Sequence, residues 1–101
     1  KPFYILPEGK SLSRGFDAIW KGMEISSGGQ RVHDPELLKK RLSVKGLELD
    51  SFKDYIESFC YGAPPHSGWG LGVERVTMLL LDLNNIREAS LFPRDRDRLT
   101  P

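Results

Sequence analysis

One stretch constrains this chain more than any other. Gly68-Trp69-Gly70-Leu71-Gly72-Val73-Glu74-Arg75 runs into Val76-Thr77-Met78-Leu79-Leu80-Leu81. Alternating glycines carry no Cβ, so a backbone built from them can lie against a flat ligand or another strand. The segment after them is apolar nearly all round, the mark of a buried helix. Arg75 is then the odd residue. A guanidinium in the first turn of a buried helix keeps its proton and requires an anion. A helix N-terminus already favours one. Together these features point to a nucleotide's base and phosphates, with a structural ion pair to Glu74 or another segment as the alternative. The dinucleotide fingerprint Gly-x-Gly-x-x-Gly does not fit, because Val73 and Arg75 stand where its last glycine is needed. There is also no Gly-Lys-Ser/Thr for a phosphate-binding loop.

The rest of the chain reads as short strands followed by helices. Phe3 to Leu6 is a strand by composition, closed by Pro7, and Glu8 to Ser11 is a polar loop. Phe16 to Ile25 is extended, with Phe16, Ala18 and Trp20 on one face, and a hairpin or bend at Gly22 would make it two antiparallel strands. In the second arm Ser26-Ser27-Gly28-Gly29 is soft backbone. Regular pleating separates Glu24 from Ser27 and Arg31, and a bulge at the glycines would bring all three to one side. Asp34-Pro35 opens a helix as cap and first residue; Leu37, Leu38, Arg41, Leu42 and Val44 carry its face, and Gly46 stops it. Asp50 is expected to cap the next helix. Phe52, Tyr55, Ile56, Phe59 and Cys60 fall on one side of it, a core face rather than a base-stacking platform, and Gly62 ends it. A strand ends near Gly72 and the apolar helix runs to about Leu83. Residues 86–92 read as strand or helical turn, and Arg94 to Arg98 as a charged tail. Strands followed by helices indicate an α+β fold with an antiparallel sheet. No repeat and no domain boundary is visible across residues 1–101.

Composition narrows the function classes. With 15 basic and 14 acidic residues the net charge is +1, which gives no basis for counterion-driven binding to nucleic acid. Lys39-Lys40-Arg41 is read as a solvated helix face, with contact to an RNA backbone as the minor alternative. The single cysteine, Cys60, excludes an internal disulfide and suits a reducing, cytoplasmic compartment. No apolar run is long enough to span a membrane.

Taken with Glu24-Ile25-Ser26-Ser27-Gly28-Gly29-Gln30-Arg31-Val32-His33, Gly62-Ala63-Pro64-Pro65-His66, and Asn85-Ile86-Arg87 through Leu91-Phe92-Pro93-Arg94-Asp95, the glycine-rich stretch resembles the aspartyl-tRNA synthetases, a class II family, in their archaeal and eukaryotic form. The likeness covers essentially the whole chain. It implies that Gly68 to Arg75 is the family's motif 3. The chain would be the C-terminal portion of the catalytic domain, without motifs 1 and 2 or the anticodon-binding domain, and its last residues resemble the family's C-terminus. The implied fold is part of an antiparallel sheet flanked by helices. The implied reaction is ATP-dependent activation of L-aspartate to aspartyl-adenylate, then transfer to the 3′ end of tRNA-Asp, with tRNA-Asn left open.

By the same resemblance, Gly72, Val73, Glu74 and Arg75 contact ATP, and Arg75 holds the γ-phosphate. Glu24 and Ser27 hold Mg²⁺. Ser27 and Arg31 contact the aspartate, Arg31 reading its side-chain carboxylate. Gln30 and His33 take supporting roles at most, and His66 is unassigned. The whole enzyme is implied to be a homodimer, and the 101 residues alone inactive. An asparaginyl-tRNA synthetase, an adenylate-forming paralogue that makes asparagine, and a non-enzymatic regulatory or scaffold module are the alternatives.

Overall fold

The computed structural model describes residues 1–101. Five strands and three helices follow in order: β1 (Pro7–Glu8), β2 (Leu12–Ser13), β3 (Gly15–Trp20), β4 (Met23–Gln30), α1 (Pro35–Val44), α2 (Lys53–Ser58), β5 (Ser67–Leu71) and α3 (Val73–Leu80). Single 3₁₀ turns occupy Leu49–Phe52, Phe59–Tyr61 and Ile86–Ala89. β1 and β2 form a small antiparallel pair, and β3, β4 and β5 a three-stranded sheet with β4 in the middle. The α+β reading is therefore correct.

The sheet's local chemistry is legible. Lys21 and Gly22 both have positive φ, 47° and 80°, which a tight two-residue hairpin turn needs. That turn makes β3 and β4 antiparallel and sets Trp20 opposite Met23. β4 and β5 are antiparallel as well. The Gly72 N–H donates to the Ile25 carbonyl at one end, and the Arg31 N–H to the His66 carbonyl at the other. Toward β3 the count differs. The Gln30 N–H donates to the Arg14 carbonyl, so β4 spends one more residue than β3 between the turn and this bond. An extra residue on one strand is a β-bulge. Exposure along β4 shows the same break: Glu24 and Ser27 are exposed, with half-buried Ile25 and buried Ser26 between them.

Chain packing divides the residues into two compact units, Lys1–Phe16 with Gly28–Trp69, and Asp17–Ser27 with Gly70–Pro101. The borders fall inside the strands, where composition does not change, so the sequence carries no sign of them. The first unit holds the main core. Val32, Leu38, Leu42 and Ile56 are buried, with Phe3, Leu6, Leu37, Phe52 and Phe59 packed against them. The Asp34 side chain accepts from the Leu37 N–H at 2.7 Å and Pro35 takes the first turn, as the cap-proline pair predicts. Gly62, at φ 86°, closes the 3₁₀ turn after α2. In the second unit α3 packs on the 3₁₀ turn Ile86–Ala89, and Met78 is its buried residue.

Several local expectations are overturned. Phe3 and Tyr4 lie in a turn, closed by the Ile5 N–H on the Pro2 carbonyl, and the expected strand shrinks to a single bridge between Ile5 and Arg31. Pro7 opens β1 rather than ending a strand. Asp50 caps nothing by its side chain, because a 3₁₀ turn at Leu49–Phe52 leads straight into α2. Val44 is exposed. α3 stops at Leu80, where Asp82 adopts φ 51° and the Leu83 N–H returns to the Met78 carbonyl. Nor is α3 buried in this chain. Val73, Leu80 and Leu81 are 63–65% exposed, because two turns of helix bury only the face turned to their own neighbours.

Candidate active site

Within the second unit, β4 and the start of α3 bring Glu24 and Arg75 together. The Gly72 N–H is tied to Ile25 at 2.8 Å, which fixes the point where β5 turns into α3. A Cβ on Gly72 would come within 3.3 Å of the Arg75 side chain and 3.5 Å of the Ile25 carbonyl. The bare glycine lets the arginine fold back across the strand end. Arg75 Nη1 donates to the Glu24 carbonyl at 2.6 Å and lies 4.0 Å from the Glu24 carboxylate. Both side chains are close to half exposed. An ion pair so long and so wet contributes on the order of 0–1 kcal/mol. Arg75 is thus oriented by a backbone carbonyl, and its charge remains open to a stronger anion. This corrects the expectation of a buried guanidinium: the arginine sits at the rim of a groove.

Two open grooves share Arg75. One, of about 640 Å³, is lined by Gly22, Met23, Glu24, Arg75, Met78, Asn84 and Ile86. The other, of about 300 Å³, runs past Gly72, Glu74 and Arg75 to Arg87, Ser90 and Arg94. Val73, the first residue of α3, is exposed. Ser27 is exposed on β4, three residues beyond Glu24. No group of three or more His, Cys, Asp or Glu side chains is placed to hold a metal ion. Glu24 and Ser27 offer two hard oxygen donors. That suits Mg²⁺, which keeps several waters and takes its remaining ligands from substrate phosphates.

Arg31 belongs to the first unit. Its backbone is bridged to Ile5 and bonded to His66. Its guanidinium lies over bare Gly68, where a Cβ would come within 2.9 Å of Nη2, and 5.9 Å from the Tyr4 ring centre. The Tyr55 phenol is pushed above its usual pKa by burial, and the nearby Arg31 charge opposes that shift. The structure thus gathers Glu24, Gly72 and Arg75 in one unit, with Ser27 further along the same strand, and places Arg31 in the other. His66 stacks on Phe59 and its Nδ1 meets the Pro64 carbonyl at 2.9 Å, so Nδ1 carries the proton. His33 Nδ1 is buried without a hydrogen-bond partner. Gln30 accepts from Arg14 at 2.7 Å. Sequence reasoning missed Arg87, Ser90 and Arg94 as groove residues. The signal was Asp95, whose side chain accepts from the Asp97 N–H two residues on, the Asx turn that aspartate favours, within the supposed tail.

The fold and this site define a class: an α+β protein whose antiparallel sheet delivers a carboxylate and an arginine to the start of a helix. A family model described as tRNA synthetases class II (D, K and N) matches residues 1–96. The chain belongs to that family. It is 55% identical over its whole length to an aspartate–tRNA(Asp) ligase of Thermoplasma volcanium, of which it covers 24%. The aspartyl-tRNA synthetase of Entamoeba histolytica superposes on the whole chain with a TM-score of 0.92 at 50% identity, over 21% of that protein. An asparaginyl-tRNA synthetase of Pyrococcus horikoshii, complexed with asparaginyl-adenylate, superposes with a TM-score of 0.88 at 37% identity, over 24% of its length. The chain spans about a quarter of the length of the curated relatives it matches. No helix is long and apolar enough to cross a membrane.

Proposed function

We propose that the polypeptide carrying this chain is an aspartate–tRNA ligase, and that residues 1–101 supply part of its ATP, Mg²⁺ and aspartate sites as the C-terminal portion of the catalytic domain. Gly68 to Arg75 is then motif 3. The observation that carries this is the joint lining of one groove by Glu24 and Arg75 at the head of α3. Forming an adenylate joins two anions, the aspartate carboxylate and the α-phosphate of ATP, and expels pyrophosphate. The protein must supply cations and alignment more than a base. Arg75, held by the Glu24 carbonyl, takes the terminal phosphate. Gly72, Val73 and Glu74 line the nucleotide's approach. Glu24 and Ser27 would hold Mg²⁺, which when bound neutralises phosphate charge. Arg31, resting on Gly68 and Tyr4, presents a planar fork that matches the substrate's side-chain carboxylate. The partners are L-aspartate, ATP and tRNA-Asp. A homodimeric assembly and a cytoplasmic setting complete the reading, with tRNA-Asn left open as a second tRNA substrate.

The relatives' identities favour aspartate over asparagine, 50–55% against 37% in the proteins compared. The test is ATP–pyrophosphate exchange by the intact polypeptide, with aspartate and asparagine supplied separately. Exchange with aspartate alone is expected. Exchange with asparagine alone would move the protein to the sister enzyme, and a folded protein that exchanges with neither would be a non-enzymatic module. Arg75→Ala is expected to abolish measurable ATP binding, whereas unchanged binding would remove Arg75 from the site. The isolated 101 residues are expected to show no exchange.

A further inference from the structure

The smaller groove beside Arg75 is unexplained by a site made of Glu24, Ser27 and Arg75. Three arginines line it, Arg75, Arg87 and Arg94, against one acidic residue, Glu74, with Ser90 in the same lining. Two of these arginines are held with donors to spare. Arg87 Nη2 pairs with Asp95 Oδ2 at 2.5 Å, and Asp95 Oδ1 accepts the N–H groups of Asp97 and Arg98 at 2.8 Å each. Arg94 Nη1 donates to the Leu99 carbonyl. A guanidinium has five N–H donors in a fixed plane, so each keeps a free edge. Ile86 and Pro93 supply apolar wall, and weaker hydration beside such a wall strengthens charge-assisted bonds.

We propose that Arg87 and Arg94, with Ser90, form a phosphate-binding subsite continuous with Arg75, which takes the terminal phosphates of ATP and the pyrophosphate released from it. This rests on the reading of Arg75 as an ATP-phosphate residue. The two grooves meet at that side chain, so a polyphosphate on Arg75 has Glu24 on one side and Arg87 and Arg94 on the other. Charge on the departing pyrophosphate is then met by fixed cations, the arrangement that lowers the barrier to its expulsion.

Binding of pyrophosphate and of AMP to the intact polypeptide, by titration calorimetry, tests the subsite without relying on turnover. Arg94→Gln and Arg87→Gln are each expected to weaken pyrophosphate binding about tenfold, the loss of one charge-assisted pair, and to leave AMP unchanged. Asp95→Asn frees Arg87 from its ion pair and is expected to leave pyrophosphate binding intact or tighter. Equal losses for AMP and pyrophosphate, or an Asp95→Asn variant as weak as Arg87→Gln, would overturn the proposal in favour of a structural role. So would displacement by a single-stranded oligoribonucleotide but not by pyrophosphate. If Arg87→Gln does not fold, Arg94→Gln and its rescue by Arg94→Lys decide the matter. Arg75→Ala separates the two readings: retained ATP binding there removes the parent site, whereas lost ATP binding with unchanged Arg94→Gln removes only the subsite.

Discussion

Glycines that look alike in the sequence do different work. At Gly28 a Cβ would fall within 2.5 Å of Trp69 Cβ and 2.7 Å of its Cα, while at Gly70 it would meet nothing within 4 Å. Gly28→Ala is therefore expected to destabilise the fold by about 1–3 kcal/mol or more, the cost of overpacking against backbone that cannot move aside. A urea midpoint shift reads it directly. Gly70→Ala should leave that midpoint within about 0.5 kcal/mol. If backbone at Gly70 approaches the adenine, the same variant weakens ATP binding, and retained affinity would show that the glycine serves neither purpose. Asp95 offers a second prediction at this scale. The Asp97 N–H bond lowers its carboxyl most; burial, the next-largest effect, opposes it, and the Arg98 N–H with the charges of Arg87 and Arg98 leave the carboxyl below the usual 3.8. Its contribution is complete above the unfolded value and is lost as pH falls through the lower folded one. The amide shifts of Asp97 and Arg98 should thus stay constant from pH 7 to about 4 and move only below it. A transition near pH 6 would contradict this.

Elements whose caps and faces agree form where the sequence puts them. α1 has its Asp34 cap, its proline and its buried Leu38 and Leu42. Removing the cap in Asp34→Ala should cost about 1 kcal/mol, within roughly 0.5–2, as a lowered denaturation midpoint with unchanged slope. A neutral result would mean that the Leu37 N–H finds water instead. Elements lacking such agreement came out otherwise. Nothing caps α2, whose Asp50 is displaced by a 3₁₀ turn. α3 has the strongest apolar signal in the chain, yet that signal reports which residues avoid water in some finished fold, and in this chain the Val73, Leu80 and Leu81 faces have no cover. The Glu24–Ser27 phase shift on β4 depends on a register difference with β3 that no single strand encodes.

Ligand linkage is the whole-molecule consequence of the proposed function. A ligand that binds only the folded state stabilises it by about 2.7 kcal/mol at a hundred times its dissociation constant. MgATP should therefore raise the unfolding temperature of the intact polypeptide in a concentration-dependent way, and AMP should do so less. A transition indifferent to MgATP at millimolar concentration would count against nucleotide binding.

The sequence by itself determined the α+β class, the family, the hairpin turn at Gly22, the α1 cap and the set of residues that can bind anions and a hard cation. These are local: one residue's φ, one side chain's donors, one stretch of glycines. Tertiary structure alone decided that Arg75 is held by the Glu24 carbonyl at a groove's rim, that Gly28 and Gly68 are bare because Trp69 and Arg31 lie across them, and that Arg87, Ser90 and Arg94 share a groove with Arg75. Each of these joins groups by distances in space that no sequence interval specifies. Glu24 and Arg75 meet where β4 pairs with β5, and the register of that pairing is fixed by the packing of whole strands.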